Sequence, residues 1–260
     1  MKVVILAGGL PSAISEEKIP KPMAEIGGRP ILWHIMKQYA HYGFYDFIIC
    51  TGFGGQMIKQ YFMDYYIYQS DITVHLKENL VEIHRKQTED WNVSVVDTGR
   101  NTSAIDRIKM VAKHVGEEPF FVSFGDCVSN IELDKMFLFH KEHGKLATMA
   151  VARPSGRNEM IPIGAEGMID LSCNVNELNH AWVDACTMIY HPSVFTEDMG
   201  LMKSERGFYT GLARLNEVIA YKHYGFWSPM ETKRDQSMLE NMWQKHQAPW
   251  KVWEDEDECK

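Results

Sequence analysis

The sequence lacks a long apolar run, a basic run and any pair of cysteines in a C-x-x-C arrangement. Near the N-terminus, only the apolar segment Val3 to Leu6 comes before the first glycines. This segment is too short for a signal peptide or a membrane span. The five cysteines show the spacing of neither a zinc site nor a disulfide framework. These absences predict a cytoplasmic protein in a reducing compartment, with no membrane partner.

The charge balance is acidic. Lys and Arg total 27, Asp and Glu total 35, and the net charge is -8. An acidic chain without a basic run is a poor candidate for binding DNA or RNA, but a local basic pocket can hold a small polyanion. The 260 residues are 45% hydrophobic, which is typical of a globular chain with a sizeable core. We expect a single domain over residues 1–253 and an acidic, solvated tail over 254–260.

Apolar patterns predict strands that alternate with helices. The predicted strands are 3–6, 47–50, 120–124, 146–152, 182–190 and 221–226, and the predicted helices are 31–42, 57–65, 105–115 and 232–246. This alternation is typical of an α/β fold whose mostly parallel sheet is covered on both faces. Segment 71–97 instead alternates apolar and polar residues, and we interpret it as a small antiparallel excursion.

Three places in this pattern carry candidate binding residues. Gly8-Gly9 and Asp126 each follow a buried strand, and ligands gather at the carboxyl ends of parallel strands. The glycines allow backbone N–H groups to approach a phosphate, and Lys21 between two prolines offers a fixed positive charge. The glycines are also compatible with a plain turn, and Asp126 with a helix N-cap. Glu231 lies where the last helix opens, so a helix-end role is its alternative.

Several segments together match one known pattern. They are Met1 to Leu10, KPMAEIGGRPILWHIM at 21–36, WNVSVVDTG at 91–99, FGD at 124–126 and GFW at 225–227. In these segments the chain resembles the sugar-phosphate nucleotidyltransferases, and among them the glucose-1-phosphate cytidylyltransferases. The resemblance spans nearly the whole chain. It implies an α/β, Rossmann-like three-layer nucleotidyltransferase fold.

The resemblance also implies an activity and a site. We expect a CTP-dependent cytidylyltransferase that transfers CMP to a phosphorylated small molecule and releases pyrophosphate. The nucleotide-binding residues would be Leu6, Ala7, Gly8, Gly9, Leu10, Lys21, Thr102, Arg107 and Asp126. Lys21, Arg107 and Asp126 would be catalytic. The cofactor would be Mg²⁺, held by Asp126 and by Glu231, which stands where the family has an aspartate. A homo-oligomer is the expected assembly.

The sequence departs from the family pattern at clustered positions. The family's G-L-G-T-R-L corresponds to Gly9–Ile14, where its arginine is missing, and its E-K-P corresponds to Glu177–Asn179, where Leu178 replaces its lysine. Its T-M-T-G-G-R corresponds to Thr102–Arg107, and its I-N-G-G-F-F to Val183–Met188. Its E-P-L corresponds to Thr210–Leu212, and its G-D-G to Gly125–Cys127. Cys127 is not required as a nucleophile, because the family transfer is direct.

Two hypotheses follow from these departures. The chain is either a working cytidylyltransferase whose acceptor is not glucose 1-phosphate, or a non-catalytic nucleotide-binding or assembly protein that keeps the fold. Replacement of several acceptor-side groups together favours the first, since exchange of buried polar partners shifts specificity strongly. Loss of the arginine in the triphosphate loop favours the second, because Arg is a bidentate phosphate clamp.

Overall fold

The computed structural model describes residues 1–9, 19–86, 88–153, 167–169, 182–195 and 205–254. Its strands in chain order are β1 (Lys2–Ala7), β2 (Glu25–Ile26), β3 (Arg29–Pro30), β4 (Asp46–Thr51), β5 (Ser70–His75), β6 (Leu80–Lys86), β7 (Asn92–Asp97), β8 (Phe120–Phe124), β9 (Cys127–Ser129), β10 (Ala147–Ala152), β11 (Val183–Tyr190), β12 (Val218–Lys222) and β13 (Trp227–Pro229). Its helices are α1 (Ile31–His41), α2 (Gly55–Tyr68), α3 (Ala104–Val115), α4 (Leu133–His143), α5 (Glu205–Arg214) and α6 (Lys233–Gln244).

The central sheet is mostly parallel. Seven strands have the order β12-β10-β11-β8-β1-β4-β7. β1 pairs in parallel with both neighbours, so that Val4 lies opposite Ile48 on β4 and Val122 on β8. β7 extends the parallel set beyond β4, and β12 pairs in parallel with β10. β11 runs antiparallel to both β8 and β10. The predicted α/β class with a mostly parallel sheet is confirmed.

Apolar layers cover both faces of this sheet. Successive side chains of a strand point to opposite faces, and β1 is apolar along most of its length because both of its faces are buried. Val3 and Ile5 pack in one core with α1 and α6, whereas Val4 and Leu6 pack in another with α3 and α5. The expected three-layer arrangement follows from this packing.

The predicted excursion at 71–97 is only partly correct. β5 and β6 form an antiparallel hairpin, with Ile72 opposite Ile83. β7 instead belongs to the central sheet, where Val93 pairs in parallel with Phe47 on β4. As the edge strand, β7 exposes alternate residues on one face, and this produces the same alternation as a hairpin.

The predicted strand at 221–226 is shifted along the chain. The observed strand β12 covers Val218–Lys222, where Val218 and Ala220 are buried against the sheet. Residues 223–226 instead connect β12 to β13, which pairs with β9 in a separate antiparallel ribbon. No helix within the described part of the chain is long and apolar enough to cross a membrane.

The C-terminal segment closes the layer around α1. Trp250 is fully buried and donates its Nε1–H to His34 Nδ1 over 3.4 Å, while His34 Nε2 lies 2.8 Å from the carbonyl oxygen of Ile26. A neutral imidazole that carries its proton on Nε2 satisfies both contacts. Burial lowers the pKa of His34 to about 4, so this ring is a neutral part of the core near pH 7.

Candidate active site

A cavity of about 290 Å³ opens at the carboxyl ends of β1 and β8. Its lining consists of Leu6, Ala7, Gly8, Gly9, Pro20, Lys21, Pro22, Thr102, Ala104, Arg107, Phe124 and Asp126. The structure therefore brings together eight of the nine residues predicted to bind nucleotide. The ninth, Leu10, lies outside the described residues. The cavity forms where the sequence places it, because parallel strands end at one edge of the sheet.

Gly8 lies directly against the guanidinium group of Arg107. A Cβ atom on Gly8 would stand 2.2 Å from Arg107 Nη1, whereas a Cβ on Gly9 would meet no atom within 4 Å. The first position therefore requires glycine for close approach to a buried cation, and the second does not. The plain-turn interpretation does not explain this difference between the two glycines.

Arg107 is held by oxygen atoms of the protein itself. Its Nη1 donates to the carbonyl of Thr51 over 3.0 Å and to Thr98 Oγ1 over 2.7 Å, and its Nη2 donates to the carbonyl of Arg100 over 3.3 Å. The residue is 2% exposed. Burial lowers the pKa of Arg107, but a guanidinium stays protonated in proteins. The cavity thus has a fixed positive charge beneath its glycine loop.

The first turn of α3 also faces the cavity. Ser103 caps this helix, and its Oγ accepts the Asp106 N–H over 3.2 Å. Thr102 precedes the cap, and its hydroxyl donates to the carbonyl of Thr98. Backbone N–H groups at a helix N-terminus favour anions. With Ala104 in the lining, the helix end adds positive potential to the site.

Asp126 lies in the turn between β8 and β9, and the helix N-cap interpretation is therefore wrong. The preceding Gly125 donates its N–H to the carbonyl of Leu6 over 3.0 Å, which fixes this turn to the end of β1. A Cβ on Gly125 would approach Pro22 Cγ to 2.9 Å. Lys21 reaches across from its single 3-10 turn, with Nζ 3.3 Å from Asp126 Oδ2.

Glu231 directly follows Met230, whose backbone contacts Asp126, but Glu231 itself is exposed to solvent. The Met230 N–H donates to the carbonyl of Asp126 over 2.7 Å, so the chain at Met230 passes beside the Asp126 turn. Glu231 is exposed and does not line the cavity. Thr232 caps α6 in a reciprocal capping box with Asp235. Opening of the last helix is therefore assigned to Thr232, while the role of Glu231 stays a prediction.

Strand β11 is the neighbour of β8 on the side away from β1. Asp184 Oδ1 accepts the Cys186 N–H over 2.7 Å, and Cys186 has a positive φ of 62°. Burial raises the pKa of Asp184 to about 7. Asp184 and Cys186 are both half-buried. Because Thr187 pairs with Ser123 in the antiparallel register, Asp184 lies beyond the carboxyl end of β8.

A second carboxyl group lies behind this strand, on α5. Glu205 accepts a hydrogen bond from the Tyr209 hydroxyl over 3.2 Å. Burial raises the pKa of Glu205, and the charge of Glu205 in turn contributes to the raised pKa of Asp184. Two carboxyl groups with raised pKa values therefore lie on β11 and α5.

Four lining residues were not predicted from the sequence: Pro20, Pro22, Ala104 and Phe124. The prolines flank Lys21, so the P-K-P segment was a usable signal for both. Conversely, two departures from the family pattern, at 10–14 and at 177–179, lie outside the described residues.

Proteins similar to this chain are nucleotidyltransferases. The chain is 44% identical over 258 residues to the glucose-1-phosphate cytidylyltransferase of Salmonella typhimurium, and the match covers 98% of this chain and 100% of that protein. A UDP-glucose pyrophosphorylase complexed with UDP-glucose has a TM-score of 0.72 at 16% identity, over 94% of this chain and 98% of that chain. The inositol-1-phosphate CTP transferase of T. maritima has a TM-score of 0.69 at 12% identity, over 98% of both chains. These two structures show the fold alone. No protein-family model matches the chain.

Proposed function

Because the chain belongs to the glucose-1-phosphate cytidylyltransferase family, we propose that it transfers CMP from CTP to a phosphorylated small molecule and releases pyrophosphate. The observation that carries this proposal is the single cavity that unites the Gly8-Gly9 loop, Lys21, Arg107 and Asp126. A cationic, glycine-lined cavity at the carboxyl edge of a parallel sheet suits a nucleoside triphosphate.

The chain's own residues act by positioning and by charge. The acceptor phosphate oxygen attacks the α-phosphorus of CTP, a new P–O bond forms, and the bond to pyrophosphate breaks. Backbone N–H groups of Gly8 and Gly9 face the phosphates, Lys21 supplies an ammonium group, and Arg107 adds fixed positive charge from below. Such preorganised charge stabilises the transition state, and no covalent enzyme intermediate is required.

We also propose that Mg²⁺ binds at Asp126 together with Glu231. The residues present fit this ion, since carboxylate oxygens are its preferred ligands and the Met230 N–H donates to the carbonyl of Asp126 over 2.7 Å, which brings the chain at Glu231 to the Asp126 turn. Among the described residues, no group of three or more His, Cys, Asp or Glu side chains is arranged to hold a metal ion. Phosphates and water would therefore complete the ligand set. When bound, Mg²⁺ would screen the charge of the reacting phosphates.

The proposed acceptor is a phosphorylated small molecule other than glucose 1-phosphate. Support comes from Leu178, which lacks the charge of the family's lysine, and from the half-buried Asp184 beside the Asp126 turn. A carboxyl group at this position would pair with hydroxyl or cationic groups of the acceptor and not with its phosphate. Loss of one charged hydrogen bond costs about 1.5–3 kcal/mol of binding, which suffices to change the preferred substrate.

Two measurements test this function. Calorimetry with the four ribonucleoside triphosphates should show the tightest binding for CTP; tighter binding of UTP or a purine nucleotide would overturn the base assignment.

Pyrophosphate release from CTP should occur with at least one of a panel of sugar, polyol and amino-alcohol phosphates, and poorly with glucose 1-phosphate. Efficient CDP-glucose synthesis would refute the acceptor proposal, and CTP binding without turnover on any acceptor would favour the non-catalytic alternative.

The homo-oligomer remains a proposal, supported by exposed apolar side chains on α2 and on the β5–β6 hairpin. Met63 is 69% exposed, Tyr68 77% and Leu76 87%. Since α2 packs against β5, these exposed apolar side chains lie on neighbouring elements, which suits an interface. Light scattering coupled to gel filtration should give a mass of at least twice 30.0 kDa, and a monomeric mass would contradict the proposal.

A further inference from the structure

We propose that Cys127 and Cys186 are a site of reversible disulfide formation, by exchange with a small-molecule disulfide such as oxidised glutathione. Their sulfur atoms are 2.6 Å apart, although the residues are separated by 59 positions in the chain. A bond of about 2.05 Å requires only a small further approach. This inference does not depend on the proposed transferase activity.

The backbone holds both sulfur atoms in place. Cys127 begins β9, which is paired with β13 opposite Pro229. Cys186 lies in an irregular part of β11, where pairing with β10 shifts register. Its φ of 62° is in the left-handed region that disfavours side chains, and Asp184 Oδ1 fixes this conformation by accepting the Cys186 N–H.

Cys186 carries a conformational cost at its position. A left-handed φ is natural for glycine, and Cys186 adopts one with φ 62°. In this conformation its sulfur contacts that of Cys127 on the separate β9–β13 ribbon.

A metal site explains this pair less well than a disulfide does. Thiolate metal sites use three or four protein ligands, and within the described residues no group of three or more potential ligands is arranged around a common point. Two adjacent thiols with no third ligand are suited to bond with each other.

The exposure of the two residues sets the order of reaction. Cys186 is half-buried and Cys127 only 8% exposed. The Cys186 thiolate first attacks the small disulfide, forms a mixed disulfide and displaces one thiol. The Cys127 thiolate then attacks the Cys186 sulfur and displaces the second thiol. The protein loses two hydrogen atoms, and the small disulfide is reduced to two thiols that carry them.

The bond would join the turn that holds Asp126 to strand β11. Cys127 is the residue after Asp126, and its Sγ is 3.8 Å from Asp126 Oδ1. Oxidation would therefore fix the spacing between Asp126 and Asp184. Since the crosslink closes a long loop of chain, the oxidised protein should also unfold at a higher temperature than the reduced protein.

The test uses the full-length protein, incubated either with oxidised glutathione or with dithiothreitol. Free thiols are then alkylated in denaturant, so that buried thiols also react, and the protein is digested under non-reducing conditions for mass spectrometry. We expect one linked peptide pair that contains Cys127 and Cys186, its disappearance after dithiothreitol, and three of the five thiols alkylated. Cys127→Ala and Cys186→Ala should each abolish the link. Cys50→Ala is the matched control, because Cys50 is buried on β4, and this variant should retain the link.

Three results would overturn the proposal. Both cysteines could remain alkylatable after oxidant, the link could join Cys173 or Cys259, or a glutathione adduct could persist on Cys186 without resolution by Cys127. If the alanine variants fail to fold, the wild-type peptide map decides alone, because it identifies the linked residues directly.

Discussion

Lys21 and Asp126 form an ion pair inside the cavity, with Lys21 Nζ 3.3 Å from Asp126 Oδ2. Both side chains are partly exposed, at 32% and 24%. Such a pair contributes at most about 1 kcal/mol to stability, so its arrangement is explained better by function. In the proposed reaction the ammonium group turns to phosphate, and the carboxylate becomes available to Mg²⁺.

Lys21→Met should therefore separate activity from stability. We predict a fall in turnover of about 100-fold or more, the usual cost of one lost transition-state contact. The free energy of unfolding should change by less than about 1 kcal/mol. Pyrophosphate release and urea denaturation measure the two quantities. Normal turnover in this variant would remove Lys21 from the catalytic residues.

The glycine pair offers a matched comparison. Gly8→Ala places a methyl group 2.2 Å from Arg107 Nη1, whereas Gly9→Ala meets nothing within 4 Å. Because the guanidinium is held by three protein oxygens, it cannot move aside freely. We predict at least a tenfold loss of CTP affinity for Gly8→Ala by calorimetry, which is about 1.4 kcal/mol.

Gly9→Ala is the control for this experiment, and it should bind CTP within about threefold of the wild-type chain. Equal loss in both variants would show that the loop needs glycine for its own conformation, and not for contact with Arg107. No loss in either would show that the nucleotide does not use this loop.

Substitutions at Glu231 and at its neighbour Thr232 should distinguish metal binding from helix capping. Glu231→Gln should abolish Mg²⁺-dependent turnover and leave the fold intact. Thr232→Ala should cost about 1 kcal/mol of stability through loss of the cap and retain most of the activity. If Glu231→Gln turns over normally with the true acceptor, Asp126 must act with water or with another carboxylate.

The raised pKa of Asp184 predicts that the stability of the folded chain depends on pH. Its pKa in the folded chain is about 7, above the ordinary 3.8. The folded state therefore binds a proton that the unfolded state releases, and this contribution to stability is lost as pH rises from about 4 to 7. Between pH 5 and 8 the wild-type chain should lose about 2–3 kcal/mol more than Asp184→Asn. Guanidinium unfolding at both pH values tests this, and parallel pH profiles for the two proteins would contradict it.

The elements with continuous apolar runs were predictable, because both faces of β1, β4 and β8 are buried and the signal is local. The strand that pairs with β7 could not be predicted from the sequence. An edge strand and a hairpin strand have the same alternation of apolar and polar residues, and pairing depends on residues far away in the chain. Helices α4 and α5 were not predicted, because each buries only a few side chains, such as Leu133 and Leu212.

The same distinction between local patterns and long-range contacts holds for the site. Lys21 and Asp126 were recognisable from the prolines around one and the strand before the other. The packing of Gly8 on Arg107 and the contact of Cys127 with Cys186 were not, since each joins residues that are distant in sequence. Local patterns indicate which groups are present, whereas distances between them arise from the fold.

The order of strands has a kinetic consequence. The Asp126 turn follows β8, which lies between β1, with its glycine loop, and β11, with Asp184. In the proposed reaction CTP and the acceptor bind on either side of this turn, so that neither has to leave before the other enters. Initial rates should fit a sequential mechanism through a ternary complex, with intersecting double-reciprocal lines and no exchange of pyrophosphate into CTP in the absence of acceptor.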